Sequence, residues 1–165
     1  AFDLGYIPDT VLPFGAVGEE GDLSSVNSDS LAGMRVMLLG IQSLLSAMVE
    51  QYRNRYLKQR FQFILPLSPN HGAFGKDGLY AEAKLALEVM LRKWYSEFEF
   101  WGRHCSLLAV RIGWVRGTGL MALNDVVAPE MESEHGIKTF HSLEMGSLIT
   151  ALTGFQGWLP RARMR

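Results

Sequence analysis

Two side chains four residues apart pose the first chemical question. Tyr80 and Lys84 (YAEAK) open a stretch of helical periodicity, and a spacing of four puts them on one helix face, a turn apart. A phenol beside an ammonium is an acid–base pair. A free Tyr near pKa ~10 is a poor proton donor at neutral pH, and a cation within ~4–6 Å favours its phenolate. A donor tuned closer to the working pH is the better general acid. Chance alone supplies ~0.15 Tyr-x-x-x-Lys pairs in such a chain, so the pair by itself carries little. Ser68 stands twelve residues upstream, directly after an apolar run. A Ser at a strand end and a Tyr in the first turn of the next helix meet at one sheet edge. There a hydroxyl stabilises an alkoxide developing on a carbonyl.

The elements that must position these residues are legible as patterns. Phe61–Leu67 (FQFILPL) reads as a buried strand with Pro66 at its end. Ser68–Gly78 (SPNHGAFGKDG) reads as a loop, and Leu79 to about Trp101 as a helix with Leu87, Met90, Leu91 and Trp94 on one side. Upstream, Thr10–Val17 is a short apolar run suited to a strand end entering a loop. Gly18–Asn27 is an acidic, polar loop, and Ser28, Asp29 and Ser30 offer helix N-caps. From Leu31 to about Tyr52, the stripe Leu31, Met34, Leu38, Ile41, Leu45, Met48 predicts a core-facing helix. Arg53–Arg60 is basic and reads as solvated surface. Cys105–Ile112 is another strand, Gly113–Met121 a glycine-punctuated loop, and helical patterns start at Asn124 and span Ser142–Leu152.

This order, β-loop-α three times over, predicts an α/β fold with a parallel sheet and helices on both faces. Ligands in such folds sit beyond the carboxyl ends of the strands, so the three loops should gather along one edge.

Composition bounds the rest. The chain has 165 residues, net charge −1, one cysteine, 48% apolar and 20% charged residues. That is about one domain of ~150 residues, with no bulk charge to hold a nucleic acid. One cysteine forms no internal disulfide, which suits a reducing, cytoplasmic compartment. No apolar run approaches the ~20 residues of a membrane span and no signal peptide is present, so no membrane is expected. The histidines and acids lack metal-ligand spacing, and no metal is expected. The start, Ala-Phe-Asp without Met, reads as a piece of something longer.

With these residues in view, the sequence resembles the short-chain dehydrogenase/reductase family, which uses a Ser and, about a dozen residues on, Tyr-x-x-x-Lys. The runs LPLSPNHGAFGKDGLYAEAK (Leu65–Lys84) and IGWVRGTGLM (Ile112–Met121) resemble the ketoreductase domain of type I fatty acid synthases, the fungal and actinobacterial megasynthases. The resemblance covers roughly Val11 to Leu152. It implies the C-terminal part of a Rossmann-like parallel sheet, an incomplete doubly wound domain over residues 1–152. Residues 153–165 would be a linker or the lead into a next domain. The implied reaction is NADPH-dependent reduction of a 3-oxoacyl thioester, carried on the phosphopantetheine of an acyl carrier protein, to the 3-hydroxyacyl thioester. Other synthase domains and subunits would be partners.

Carried over residue by residue, the resemblance implies that Tyr80 protonates the carbonyl oxygen. Lys84 lowers the Tyr80 pKa and binds the nicotinamide ribose, and Ser68 hydrogen-bonds the carbonyl. It implies that Gly113 and Thr118 touch the nicotinamide carboxamide, and that Phe14, Gly15 and Ala16 line the cofactor. Three departures stand out. Ile112 stands where the family usually has Pro. Gly40 stands where many members place a relay Asn. The glycine-rich phosphate loop and the first half of the nucleotide-binding fold are absent. Two alternatives stay open: a polyketide synthase ketoreductase, and a non-catalytic ketoreductase-like module of a megacomplex, which only Gly40 favours.

Other candidates read more plainly. His71 has no nucleophile partner at a suitable spacing and reads as loop packing. Cys105 reads as a buried small apolar residue. Trp94 and Trp101, seven apart on one helix face, read as core or interdomain contacts. Arg116 suits either a phosphate of the cofactor or phosphopantetheine arm, or a structural ion pair.

Overall fold

Every residue of Phe61–Leu67 is buried, the pattern of a strand covered on both faces. In the computed structural model, which describes residues 6–155, this strand is β2 of a parallel sheet. Its neighbours are β1 (Thr10–Val11) and β3 (Cys105–Arg111). Thr10 lies opposite Gln62, and β2 and β3 pair from Phe61–Cys105 to Leu67–Arg111.

Alternate side chains of β2 build the core. Phe61, Phe63, Leu65 and Leu67 pack with Ile41, Leu45, Met48, Val49 and Tyr52 of α2 (Ile41–Asn54), and with Leu87 and Met90 of α3 (Tyr80–Ser96). The Tyr52 and Phe61 rings lie 4.8 Å apart. Each such large apolar side chain contributes ~1.5–3 kcal/mol on burial.

The expected helix over 31–52 is a continuous helical run with a wide turn inside it. α1 (Ser28–Met34) passes through a π-helical turn, Arg35–Gly40, into α2. Its cap is Asn27, one residue before the expected candidates. The Asn27 backbone is extended and its side chain accepts the Asp29 N–H at 2.8 Å, which Ser28, Asp29 and Ser30 cannot do from inside the helix.

The expectation that no run approaches a membrane span is corrected here. Ser28–Asn54 is a helical run of 27 residues containing an 18-residue window of mean hydropathy 1.5, long and apolar enough to cross a bilayer by length and composition. A core stripe and exposed Leu31, Val36 and Leu39 together raise the average, although only one face packs on the sheet.

α3 ends at Ser96, earlier than expected, because the chain must reverse to enter β3 beside β2. The Trp94 indole donates to the carbonyls of Gly102 and Cys105, at 3.1 and 3.3 Å. Trp101 donates to the Glu97 carboxylate at 2.5 Å. Trp94 and Trp101 therefore do not share a helix face, although both pack against the core. Cys105 is fully buried, and burial pushes its thiol up to about 12, so it is an inert core residue.

The chain divides into two compact units, Ala1–Ile112 and Gly113–Arg165. In the second, β4 (Trp114–Arg116) pairs in parallel with β5 (Thr139–His141). α4 (Ala128–His135) ends on Gly136, whose φ of 63° is a left-handed cap that favours glycine. α5 is Ser142–Phe155. The sequence reading placed both helices but neither strand, since three residues are too few to display a period of two. Residues 156–165, most of the expected linker, lie outside the described residues.

Candidate active site

Ser68 is the first residue past β2, and Tyr80 is the first residue of α3. The loop between them must bring its two ends together. Ser68 Oγ accepts the Asn70 N–H at 3.1 Å, and the Asn70 side chain accepts the Gly72 N–H at 3.1 Å. Asn70 Nδ2 donates to Asp77 Oδ2 at 2.9 Å, and the Tyr80 N–H donates to the Asp77 carbonyl at 3.0 Å. Lys76 sits at φ +55°, a left-handed conformation costly for a side-chain-bearing residue and held only where its surroundings impose it. His71 lies 3.4 Å from Glu88 of α3, and Arg111, at the end of β3, lies 2.9 Å from the same carboxylate.

This scaffold brings Ser68, Tyr80 and Lys84 together. Ser68 is 5% exposed and hydrogen-bonds the Tyr80 side chain. Ser68 Oγ also accepts the Asn70 N–H, which fixes the orientation of its hydroxyl beside Tyr80. Lys84 is 4% exposed. Its ammonium donates to the Pro66 carbonyl at 2.9 Å and lies 5.5 Å from the centre of the Tyr80 ring.

The electrostatics correct one expectation. Tyr80 is not held below the ordinary phenol range but above it. Burial raises it most, the Ser68 hydrogen bond lowers it, and the Asp77 carboxylate raises it again. Burial also brings the Lys84 pKa down, to about 8, and its ammonium spends one donor on the Pro66 carbonyl. A raised pKa keeps the phenol loaded with its proton at neutral pH. Replacing Asp77 with Asn removes a negative charge that disfavours the phenolate. The alkaline limb of a Tyr80-dependent rate profile should then begin at lower pH, which a kcat–pH profile of Asp77→Asn checks.

Phe14, Gly15 and Ala16 follow β1 and are exposed at its carboxyl end. Gly15 and Gly40 line one cavity of about 180 Å³ with Pro13, Val36, Ile41 and Leu44. The Gly40 position thus faces the expected cofactor-lining segment. A Cβ there would come within 3.1 Å of the Arg35 carbonyl across the π turn, so any side chain is crowded.

Gly113 and Thr118 belong to the second unit. The Thr118 hydroxyl donates to the Val115 carbonyl at 3.0 Å, and Gly113 has open space around its Cα. Asp125 closes this loop, accepting the Trp114 indole N–H at 3.0 Å and the Gly117 N–H at 2.7 Å. Those bonds, Gly117 first, hold its carboxyl below the usual range. Of the two roles open for Arg116, the structure provides the ion pair: its guanidinium lies 4.0 Å from Glu132, which also accepts from Thr139. No group of three or more metal-type side chains is clustered among the described residues.

The sequence reading missed Asn70 and Asp77, which set the loop and the field at Tyr80. It also missed Glu19, whose Oε2 accepts the Leu79 N–H at 2.9 Å. An Asn and an Asp flanking a glycine-rich turn were the available signal for the first two. Glu19 carried none, being one acid in an acidic loop.

No family model matches the chain. It is 47% identical over 151 residues to the fatty acid synthase subunit alpha of Gibberella zeae, covering 90% of this chain and 9% of that protein. Identity is 44% over 151 residues with the Schizosaccharomyces pombe subunit alpha (90% and 8% covered), and 40% over 153 residues with that of Saccharomyces cerevisiae (91% and 8%). The chain thus spans less than a tenth of the length of these relatives. Among solved structures it resembles a 4-hydroxyisoleucine dehydrogenase complexed with NADH (TM-score 0.72, 16% identity, 93% of this chain and 63% of that one). It also resembles an angucycline C-6 ketoreductase with bound NADP (TM-score 0.65, 16% identity, 93% and 57%).

Proposed function

We propose that this chain, homologous to a segment of fungal fatty acid synthase alpha subunits and built on the short-chain dehydrogenase/reductase fold, is the catalytic half of a 3-oxoacyl thioester reductase. The observation that carries the reading is the convergence of Ser68, Tyr80 and Lys84 at the carboxyl end of β2. The substrate would be a 3-oxoacyl chain on an acyl carrier protein.

The residues present fit the nicotinamide end of NADPH. Lys84 spends one donor on Pro66, which leaves two for hydroxyl acceptors, and Phe14–Ala16 are open at the strand end. When bound, NADPH supplies the hydride that becomes the new C–H bond at C3. Ser68 donates to the carbonyl oxygen and polarises it. Tyr80 gives its hydroxyl proton to that oxygen as charge develops there, and the phenolate is reloaded from solvent. The buried Lys84 ammonium stabilises the phenolate left behind. Residues 1–152 would form the reductase part and 153–165 the lead into a next domain, in a cytoplasmic assembly with other synthase domains.

The test follows NADPH oxidation at 340 nm by the full-length protein with a 3-oxoacyl thioester mimic. Wild type should turn over, and Ser68→Ala should lose ~10²-fold in kcat, the effect of one donor to a developing oxyanion. Wild type that binds NADPH without turnover would favour the scaffolding alternative.

A further inference from the structure

Glu19 reaches across 60 residues of sequence to the start of α3. Helix N-termini are ordinarily capped by a side chain at the N-cap position itself. Here the N-cap is Leu79, which supplies no such bond, and the first helical residue is Tyr80. The Glu19 Oε2 accepts the Leu79 N–H at 2.9 Å instead.

Two further hydrogen bonds, which together make one parallel bridge, point the same way. The Gly21 N–H donates to the Lys76 carbonyl at 3.2 Å, and the Gly78 N–H donates to the Gly21 carbonyl at 3.0 Å. Gly21 and Asp77 form an isolated parallel bridge. Two glycines make room for the carboxylate: a Cβ on Gly33 of α1, or on Gly78, would overlap it. Gly78 also sits at φ +58°, where a side chain is strained. The other oxygen, Oε1, is buried without a hydrogen-bond partner among the described residues, a cost unlike that of a solvated surface acid.

We infer that Glu19 is a positioning residue, which sets where α3 begins and thereby where Tyr80 stands relative to Ser68 and the segment Phe14–Ala16. The inference rests on the reductase reading above. Glu19 lies three residues past Ala16 on the loop that leaves β1, and its bond fastens that loop to the one that leaves β2. A misplacement of ~1 Å in a catalytic group costs as much as ~10²-fold in rate.

The experiment compares Glu19→Ala, Glu19→Gln and Gly33→Ala in the full-length protein. Glu19→Ala should lower kcat ~10–100-fold, with KM for cofactor and thioester within ~3-fold of wild type. Glu19→Gln keeps an acceptor for the Leu79 N–H and should retain kcat within ~3-fold. Gly33→Ala improves local helix propensity yet displaces the carboxylate, so kcat should fall while the melting temperature holds or rises. Amide hydrogen exchange at the start of α3 reads the tie without turnover and should quicken in Glu19→Ala. Wild-type kcat in Glu19→Ala, or Glu19→Gln as impaired as Glu19→Ala, overturns the inference while leaving the reductase reading intact. A wild type without turnover overturns the reductase reading. In that case unchanged exchange in Glu19→Ala overturns the tie as well, and quickened exchange upholds it.

Discussion

Tyr80→Phe should reduce turnover of a 3-oxoacyl thioester by ~10²–10⁴-fold, the range for loss of a positioned general acid. The substitution removes one oxygen and little packing. It also removes the hydrogen bond with Ser68, which leaves Ser68 its Asn70 contact. Folding stability should therefore change by only ~1 kcal/mol. NADPH binding should persist, because the change removes the proton donor and leaves the proposed cofactor-lining segment Phe14–Ala16 untouched. Stopped-flow or steady-state absorbance at 340 nm, with a parallel cofactor titration, checks both halves. Activity undiminished in Tyr80→Phe would remove Tyr80 from the mechanism.

Lys84→Met should separate function from stability. Turnover should fall ~10²–10³-fold, because the phenolate formed at Tyr80 loses its preorganised cation. Stability should move the other way. Lys84 is nearly fully buried with one hydrogen bond, and burial depresses its pKa from 10.5 to about 8. Below pH 8 the residue is charged in both folded and unfolded chains, and the folded state bears the whole desolvation penalty, on the order of 3 kcal/mol. Between pH 8 and 10.5 the folded state releases its proton first, so the penalty fades as pH rises. Above 10.5 it is gone. A Met of similar length fills the same space without charge, at the loss of the bond to Pro66. The melting temperature of Lys84→Met should thus exceed that of wild type at neutral pH, and the gap should close toward pH 10.5. A lower melting temperature at neutral pH that does not change with pH would mean that the ammonium is well solvated where it sits.

Both predictions describe one arrangement, a site that holds a proton donor and a cation where neither is comfortable. Burial raises Tyr80 and lowers Lys84. Each shift opposes ionisation in the empty site. This is the opposite sign from the sequence expectation for Tyr80, which counted the distance to a cation and not the cost of bringing that cation indoors.

Local pattern by itself determined much of this protein. The run FQFILPL has the length, branching and apolarity of a buried strand, and β2 has those bounds. The stripe from Leu38 to Met48, though not Leu31, which is exposed, and the four-residue spacing of Tyr80 and Lys84 follow from helical geometry alone, so the long helices and the shared face of the site residues were legible. The placement of Ser68 between a strand and a glycine-rich loop was legible for the same reason. What tertiary structure decided lies where distant segments compete for one another. α3 ends at Ser96 because Trp94 bonds the chain on its way into β3. The α1–α2 run carries a π turn ending at Gly40, where the Arg35 carbonyl would crowd a side chain. Asp77 and Glu19 acquire their roles from groups they meet only on folding, one at Tyr80 and the other 60 residues away at Leu79. Periodicity records which face of an element avoids water. It holds no record of which carboxylate reaches which amide, because that depends on loops whose path is set only when the elements they join have packed.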